Sequence, residues 1–402
     1  MDSRLPMACT RLVWALWLVS LATLVLRLRS SEAWELWGLL AVDGLTVTMW
    51  VTVTFFSGIV HSYARRYMAG SRTIDRFFGR VFGFTLIVMV LVAADALALF
   101  AAAWLAMGLV MAGLIGHVEG WPQARAAATH ARRYFLASSA ALAVALVAVW
   151  WVTGATTVSG VASAVGTAPP TVVLFAAGAL LLAAMIQSAL VPFHTWLLSS
   201  MTAPTPASAL MHAGFVNAGG ILLLRFAPVF TAEAGVMLVV IVVGAASALL
   251  GKLLKTVQTD VKRQLGCSTV GQMGFMIVQA GLGFFGAAIT HLILHGFYKA
   301  YQFLSSSGQV AHEAPPTSTR ADAAATGAVG WVVVALTALA GGALFAGLTG
   351  KGTALDGGLL LALLVVLTTM HAAREAVRNG AVPTSVRYGA VRVALLGFDQ
   401  ND

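Results

Sequence analysis

The chain has 402 residues, 59% of them hydrophobic and only 10% charged, against roughly 25% charged in a soluble domain. So few charges cannot cover a soluble surface of this size, and the formal charge of +9 is better read as membrane topology than as a footprint for nucleic acid. Two cysteines, Cys9 and Cys267, offer no CxxC and no extracellular framework of several cysteines, which argues against disulfides and iron–sulfur clusters.

The apolar residues come in long blocks, and a span needs about 20 of them, or roughly 30 Å of helix. In chain order the predicted spans lie near 11–28, 36–60, 81–95, 97–116, 134–153, 171–190, 206–227, 234–252, 267–284, 287–307, 328–349 and 355–373. The first is longer than a signal-peptide core and no clean small-x-small cleavage site follows it, so it reads as a retained helix. The third and fourth meet at Asp95, which leaves eleven spans as the alternative to twelve.

Lys and Arg collect in alternate connections. Arg4 and Arg11, Arg65 to Arg80, Arg125 to Arg133, Lys252 to Arg263, Arg320 and Arg374 to Arg392 fall on one side. Only Arg27, Arg29, Arg225 and Lys351 fall on the other. The positive-inside rule then places both termini in the cytoplasm. Residues 1–373 read as one helical membrane domain. The tail 374–402, with Arg387 and Arg392 among Val386, Val391, Leu395 and Leu396, reads as a cytoplasmic amphipathic segment or a frayed end.

Ionisable residues inside spans cost roughly 2.5–3.5 kcal/mol each at mid-helix, so they mark function. His291, His295 and Lys299, in HLILHGFYKAYQFL, recur every four residues and share one helix face. Imidazoles titrate near neutrality and a desolvated lysine can give up its charge, so the stripe is a candidate proton relay. The alternative is a set of interhelical hydrogen bonds. Zinc is a poorer fit, because HLILH lacks the Glu of HExxH.

A second cluster runs through QSALVPFHTWLLSSMTAPTPASALMHAG. Gln187 lies in a span, Pro192 should break it at His194, and Pro204 and Pro206 restart a helix carrying His212. Broken helices at membrane depth belong beside protein or a wet cavity, although an ordinary loop with Pro at a helix start fits equally. The third cluster, Lys252 to Arg263, is mainly a positive-inside anchor, with Lys252 placed deepest. No P-loop, GxGxxG or GxSxG occurs in a supporting context, so the driving energy should come from an ion gradient or a partner.

Four stretches together, DGLTVTM (43–49), PFHTWL with PTPASALMHAG (192–197, 204–214), QTDVKRQLGCSTVGQMGFM (258–276) and HLILHGFYKAYQFL (291–304), resemble the antiporter-like subunits of respiratory complex I and of multi-subunit Na+/H+ antiporters. Within that superfamily, MTAPTPASALMHAGFVNAGGILLLRFAP is most similar to the DabB family, the membrane subunits of DabA–DabB inorganic-carbon accumulation complexes. The chain's stop after two further helices agrees with that likeness.

The resemblance implies an all-α polytopic antiporter-like fold of about twelve spans with broken helices, in a prokaryotic inner (plasma) membrane. It implies H+ or Na+ conduction with His212, His291, His295 and Lys299 retained, and the polar clusters above add Gln187, His194 and Lys252 to the candidate pathway. This chain would be no enzyme and would hold no cofactor; zinc and CO2 hydration would belong to a DabA-type, carbonic-anhydrase-like partner. Two positions depart from the complex I pattern. Leu105 stands where the relatives carry Glu, and Gln187 where they carry Lys, so their Glu–Lys pair cannot operate here. The alternative readings are a proton-translocating subunit of an NADH–quinone oxidoreductase, hydrogenase or Na+/H+ antiporter complex, and a structural anchor for a catalytic partner.

Overall fold

The computed structural model describes residues 4–29, 33–309 and 328–349, with scattered positions between 363 and 374. It divides into two compact units, Met1–Ala311 and His312–Asp402.

In the first unit α1 (Leu5–Arg27) leads to a short antiparallel hairpin, β1 (Trp34–Leu36) and β2 (Leu40–Val42). The hairpin corrects the expected span 36–60. α2 (Gly44–Tyr67) starts only after Asp43, whose carboxylate accepts from the Thr46 amide at 2.8 Å and caps the helix. α3 (Ile74–Ala93) and α4 (Leu97–Ile115) are separate helices. Asp95 between them accepts from the Ser159 amide at 2.9 Å and hydroxyl at 2.7 Å. That pair ties the α3–α4 turn to α6 (Val158–Ala164), which follows the long α5 (Pro122–Thr153).

α7 (Pro170–Gln187) gives way to the short α8 (Thr195–Ser199). α9 (Thr205–Ala213) and α10 (Ala218–Arg225) form one interrupted span, then come α11 (Ala227–Thr231), α12 (Ala234–Thr256), α13 (Val261–Gly281) and α14 (Phe285–Gln309). Among the described residues, eight helices are long and apolar enough to cross a membrane, α9–α10 counting as one. α13 and α14 are also long, 21 and 25 residues, but more polar. Lys262 and Arg263 interrupt one, and His291, His295 and Lys299 the other.

Contacts between helices fix their directions. Trp14 Nε1 donates to Ser62 Oγ at 3.1 Å while Trp17 meets Phe55, so α1 and α2 are antiparallel. Thr46 reaches the Val92 carbonyl and Ser57 meets Thr85, so α2 and α3 are antiparallel too. Arg225, ending α10, pairs with Asp43, and Lys262 Nζ approaches the Ala203 carbonyl at 3.4 Å. One end of the unit therefore holds the hairpin, Asp43 and Arg225. The opposite end gathers Arg65, Arg66, Lys262 and Arg263.

The interrupted span α9–α10 is the centre, 89% buried, whereas α1 and α12 are 22% and 28% buried and lie outermost. α12 and α13 pack backbone to backbone: a Cβ on Gly244 would stand 2.8 Å from the Gly274 carbonyl oxygen. Without water to drive helix association, such close van der Waals approach is what holds neighbouring spans together.

In the second unit, α15 (Ala328–Thr349) packs Val333 and Val334 against Met370 and Ala373. The Arg374 guanidinium lies 5.3 Å from the centre of the Trp331 ring. The expected span 355–373 falls mostly outside the described residues, and the expected tail beyond 374 wholly so.

Candidate functional site

The interrupted helices make the site. α9 stops at Gly214 (φ −127°, ψ −64°), a single 3₁₀ turn covers Phe215–Asn217, and α10 resumes at Ala218. Carbonyls freed by that break are met by side chains. Asn217 Nδ2 donates to the Ala213 oxygen at 2.8 Å, and Ser188 Oγ donates to Val216 at 2.6 Å. α7 ends comparably. Ala189 takes φ +54°, a left-handed conformation that costs a residue with a Cβ about 1–2 kcal/mol. Trp196 Nε1 donates to the Ile186 carbonyl at 2.9 Å, and the Val191 amide to Ser247 Oγ at 3.2 Å. Irregular backbone survives at this depth because protein groups replace the missing water.

Against the break lies α14, with the expected stripe in register. His291 and His295 have ring centres 6.0 Å apart, one helical turn. His291 Nδ1 is 2.9 Å from Gln279 Oε1 on α13. Lys299 is fully buried and donates to the Leu265 carbonyl of α13 at 3.1 Å. His212, at the end of α9, joins the same wall. Its Nδ1 is 3.0 Å from Thr269 Oγ1, and its ring stacks on Phe303 of α14 at 4.3 Å. Gly296 allows this fit, since a Cβ there would stand 2.7 Å from the Phe56 ring.

His212 and His295 each leave Nε2 buried without a partner among the described residues. No carboxylate hydrogen-bonds any member of the stripe among them either. A buried lysine beside bare imidazole nitrogens and no counter-ion is costly as packing, yet suited to taking up and passing on a proton.

The other expected residues stand apart. Gln187 is fully buried at the end of α7, and neither amide atom has a partner among the described residues. His194 is half-buried at the start of α8, and no hydrogen bond among the described residues links it or Gln187 to the stripe. Lys252 does not turn inward. It is exposed, because α12 presents most of its surface outward, and Lys262 of α13 is the basic residue that folds in. At the position of the absent Glu, Leu105 is half-buried beside Trp104, whose Nε1 donates to Ser138 Oγ.

Three features escaped the sequence reading. His61 of α2 is buried, with Nδ1 2.8 Å from the Ser57 carbonyl; reading every span for single histidines would have found it. Thr269 and Gln279 hold the ring nitrogens of His212 and His291, and no sequence signal marks either. The Asp43–Arg225 pair joins residues 182 positions apart, which spacing cannot reveal.

Comparison with known proteins agrees with this geometry. Residues 94–373 match the family model described as NADH:quinone oxidoreductase/Mrp antiporter, TM, and residues 37–78 match the complex I chain 5 N-terminus. The chain belongs to the NADH:quinone oxidoreductase/Mrp antiporter membrane family.

Within that family it is 40% identical over 297 residues to the probable inorganic carbon transporter subunit DabB1 of Halothiobacillus neapolitanus, covering 71% of this chain and 53% of that one. It is 36% identical over 279 residues to NADH-quinone oxidoreductase subunit L of Mycobacterium tuberculosis, covering 68% and 43%. The solved Mrp complex from Dietzia shares the fold, with TM-score 0.69 at 23% identity, over 97% of this chain and 49% of its own. The chain thus spans about half the length of the curated relatives it matches. DabB1 and subunit L both extend well beyond the match, so chain length does not separate the two branches of the family as the sequence reading supposed.

Proposed function

We propose that this chain is the H+-conducting membrane subunit of an energy-coupled inorganic-carbon transport complex. Ion flow along His212, His291, His295 and Lys299 would drive a DabA-type zinc partner that hydrates CO2 to bicarbonate. The observation that carries the reading is the buried stripe of α14 facing the break after His212, in a chain whose relatives include several inorganic carbon transporter subunits. Gln187 and His194 are assigned to the margin of the same path. The chain carries no cofactor of its own in this reading. Its twelve spans set both termini in the cytoplasm of a prokaryote, where Arg65, Arg66, Lys262 and Arg263 lie. A reporter fused after Asp402 should accordingly report the cytoplasm; a periplasmic signal means a miscounted span.

The runner-up is a proton-translocating subunit of an NADH–quinone oxidoreductase, hydrogenase or Na+/H+ antiporter complex, supported by the identity to subunit L. Leu105 and Gln187 weigh against it, because the charged pair that the resemblance gives those relatives is missing.

The test is growth in air of a strain that needs added CO2. This chain expressed with a DabA-type partner should restore growth, and the chain alone should not. An uncoupler should abolish bicarbonate uptake in the restored strain. Growth from the chain alone would refute the two-component reading. Uptake that resists the uncoupler but needs sodium would replace H+ by Na+, and indifference to both would leave only an anchor.

A further inference from the structure

The geometry points to Thr269 as a positioning residue that decides which nitrogen of His212 can receive a proton, an inference that rests on the proton-pathway reading above. Thr269 lies on α13, fully buried, and has one hydrogen to give. Its Oγ1 is 3.0 Å from the Leu265 carbonyl, the backbone bond a threonine makes one turn back along its own helix. A carbonyl can only accept, so the hydroxyl hydrogen is committed there. Toward His212, 3.0 Å away, Thr269 can then act only as an acceptor.

His212 must therefore carry its hydrogen on Nδ1, and its Nε2 is the bare lone pair. That Nε2 is the buried atom with no partner among the described residues. Stacking on Phe303, with 15° between the ring planes, prevents the imidazole from tilting away. The same Leu265 carbonyl also receives Lys299 Nζ at 3.1 Å. That oxygen, which also takes the Thr269 amide within α13, is thus approached both by the hydroxyl that orients His212 and by the lysine nitrogen at the foot of the stripe. One backbone oxygen joins the two helices' proton carriers, with Thr269 as the connecting group.

The test uses the full chain with its partner in proteoliposomes, labelled with 15N at histidine, the His212 signals being assigned by their loss in His212→Gln. Thr269→Val preserves shape and removes the hydroxyl, and Thr269→Ala removes it with less bulk if the valine variant fails to assemble. Wild type should show Nδ1 protonated and Nε2 bare. Without the hydroxyl the proton should move to Nε2, and proton-driven uptake should fall roughly tenfold, as for a buried polar group left unpaired. Thr269→Ser should restore both. Unchanged His212 signals in the valine or alanine variant overturn the inference. So does a serine variant as impaired as valine, since a hydroxyl at this position would then not be what orients His212. Wild-type flux in Lys299→Met would instead refute the pathway reading, and the 15N signals would still decide whether Thr269 orients His212.

Discussion

Replacing Lys299 by Met should abolish bicarbonate uptake while leaving the protein in the membrane at near-normal level. Methionine keeps the length and apolar stem of lysine and removes only the ammonium group. Lys299 is fully buried, and its hydrogen bond among the described residues runs to a backbone carbonyl, not to a carboxylate. Its removal therefore leaves no unpaired charge behind, and insertion of α14 becomes easier by about 2.5–3.5 kcal/mol. If the ammonium group carries protons, uptake should fall by roughly a hundredfold or more, the usual contribution of a positioned acid or base. The check is uptake normalised to protein in the membrane, with partner binding measured in the same preparation. Normal uptake, or a loss of uptake that only tracks a loss of protein, makes the stripe packing and ends the relay.

A different kind of loss is expected from Arg225→Met. The Arg225 guanidinium reaches Asp43 at 2.5 and 3.2 Å and Thr46 Oγ1 at 2.6 Å, and it also donates to the Val92 carbonyl. One side chain thus joins the end of α10, the start of α2 and the end of α3. Its own exposure is 11% and that of Asp43 is 34%. Removing one partner of a buried pair costs about 3–5 kcal/mol, and the exposure of Asp43 puts this case near the lower figure. The purified protein should melt well below wild type, with the hairpin β1–β2 released first.

The acid arm of the same experiment has a definite sign. Burial pushes the Asp43 carboxyl up, but the Arg225 fork and the Thr46 amide and hydroxyl outweigh it and hold the carboxyl below its ordinary value. A carboxyl lowered by folding stabilises above its unfolded pKa of about 4 and loses that contribution as pH falls through the folded value. The gap between wild type and Arg225→Met should therefore be full at neutral pH and narrow as pH falls below about 4, by the share that the carboxylate supplies. A gap that persists undiminished in acid assigns the loss to the arginine stem and its bonds to Thr46 and Val92.

The sequence by itself determined the membrane class, the long helices and the face of α14 that holds the histidine–lysine stripe, because each is written in local periodicity. Apolar runs of fixed length need no distant partner to become helices in lipid. Four-residue spacing puts His291, His295 and Lys299 in line whatever surrounds them. Motif order also disclosed the family, since the stretches around His194, His212 and Lys262 survive as strings.

What the string could not hold was the meeting of helices. The expected span 36–60 lost its first residues to a hairpin, because Asp43 caps α2 and pairs with an arginine far along the chain. Lys252 looked deepest by position, but depth along a helix does not state which way its face turns, and α12 lies at the rim of the bundle. Thr269 and Gln279 are ordinary polar residues on α13 until the fold sets each within hydrogen-bond distance of an imidazole. Tertiary structure alone decided these points. A hydrogen bond between helices depends on their crossing and rotation, which close backbone contacts such as that of Gly244 with Gly274 set, and no local pattern encodes it.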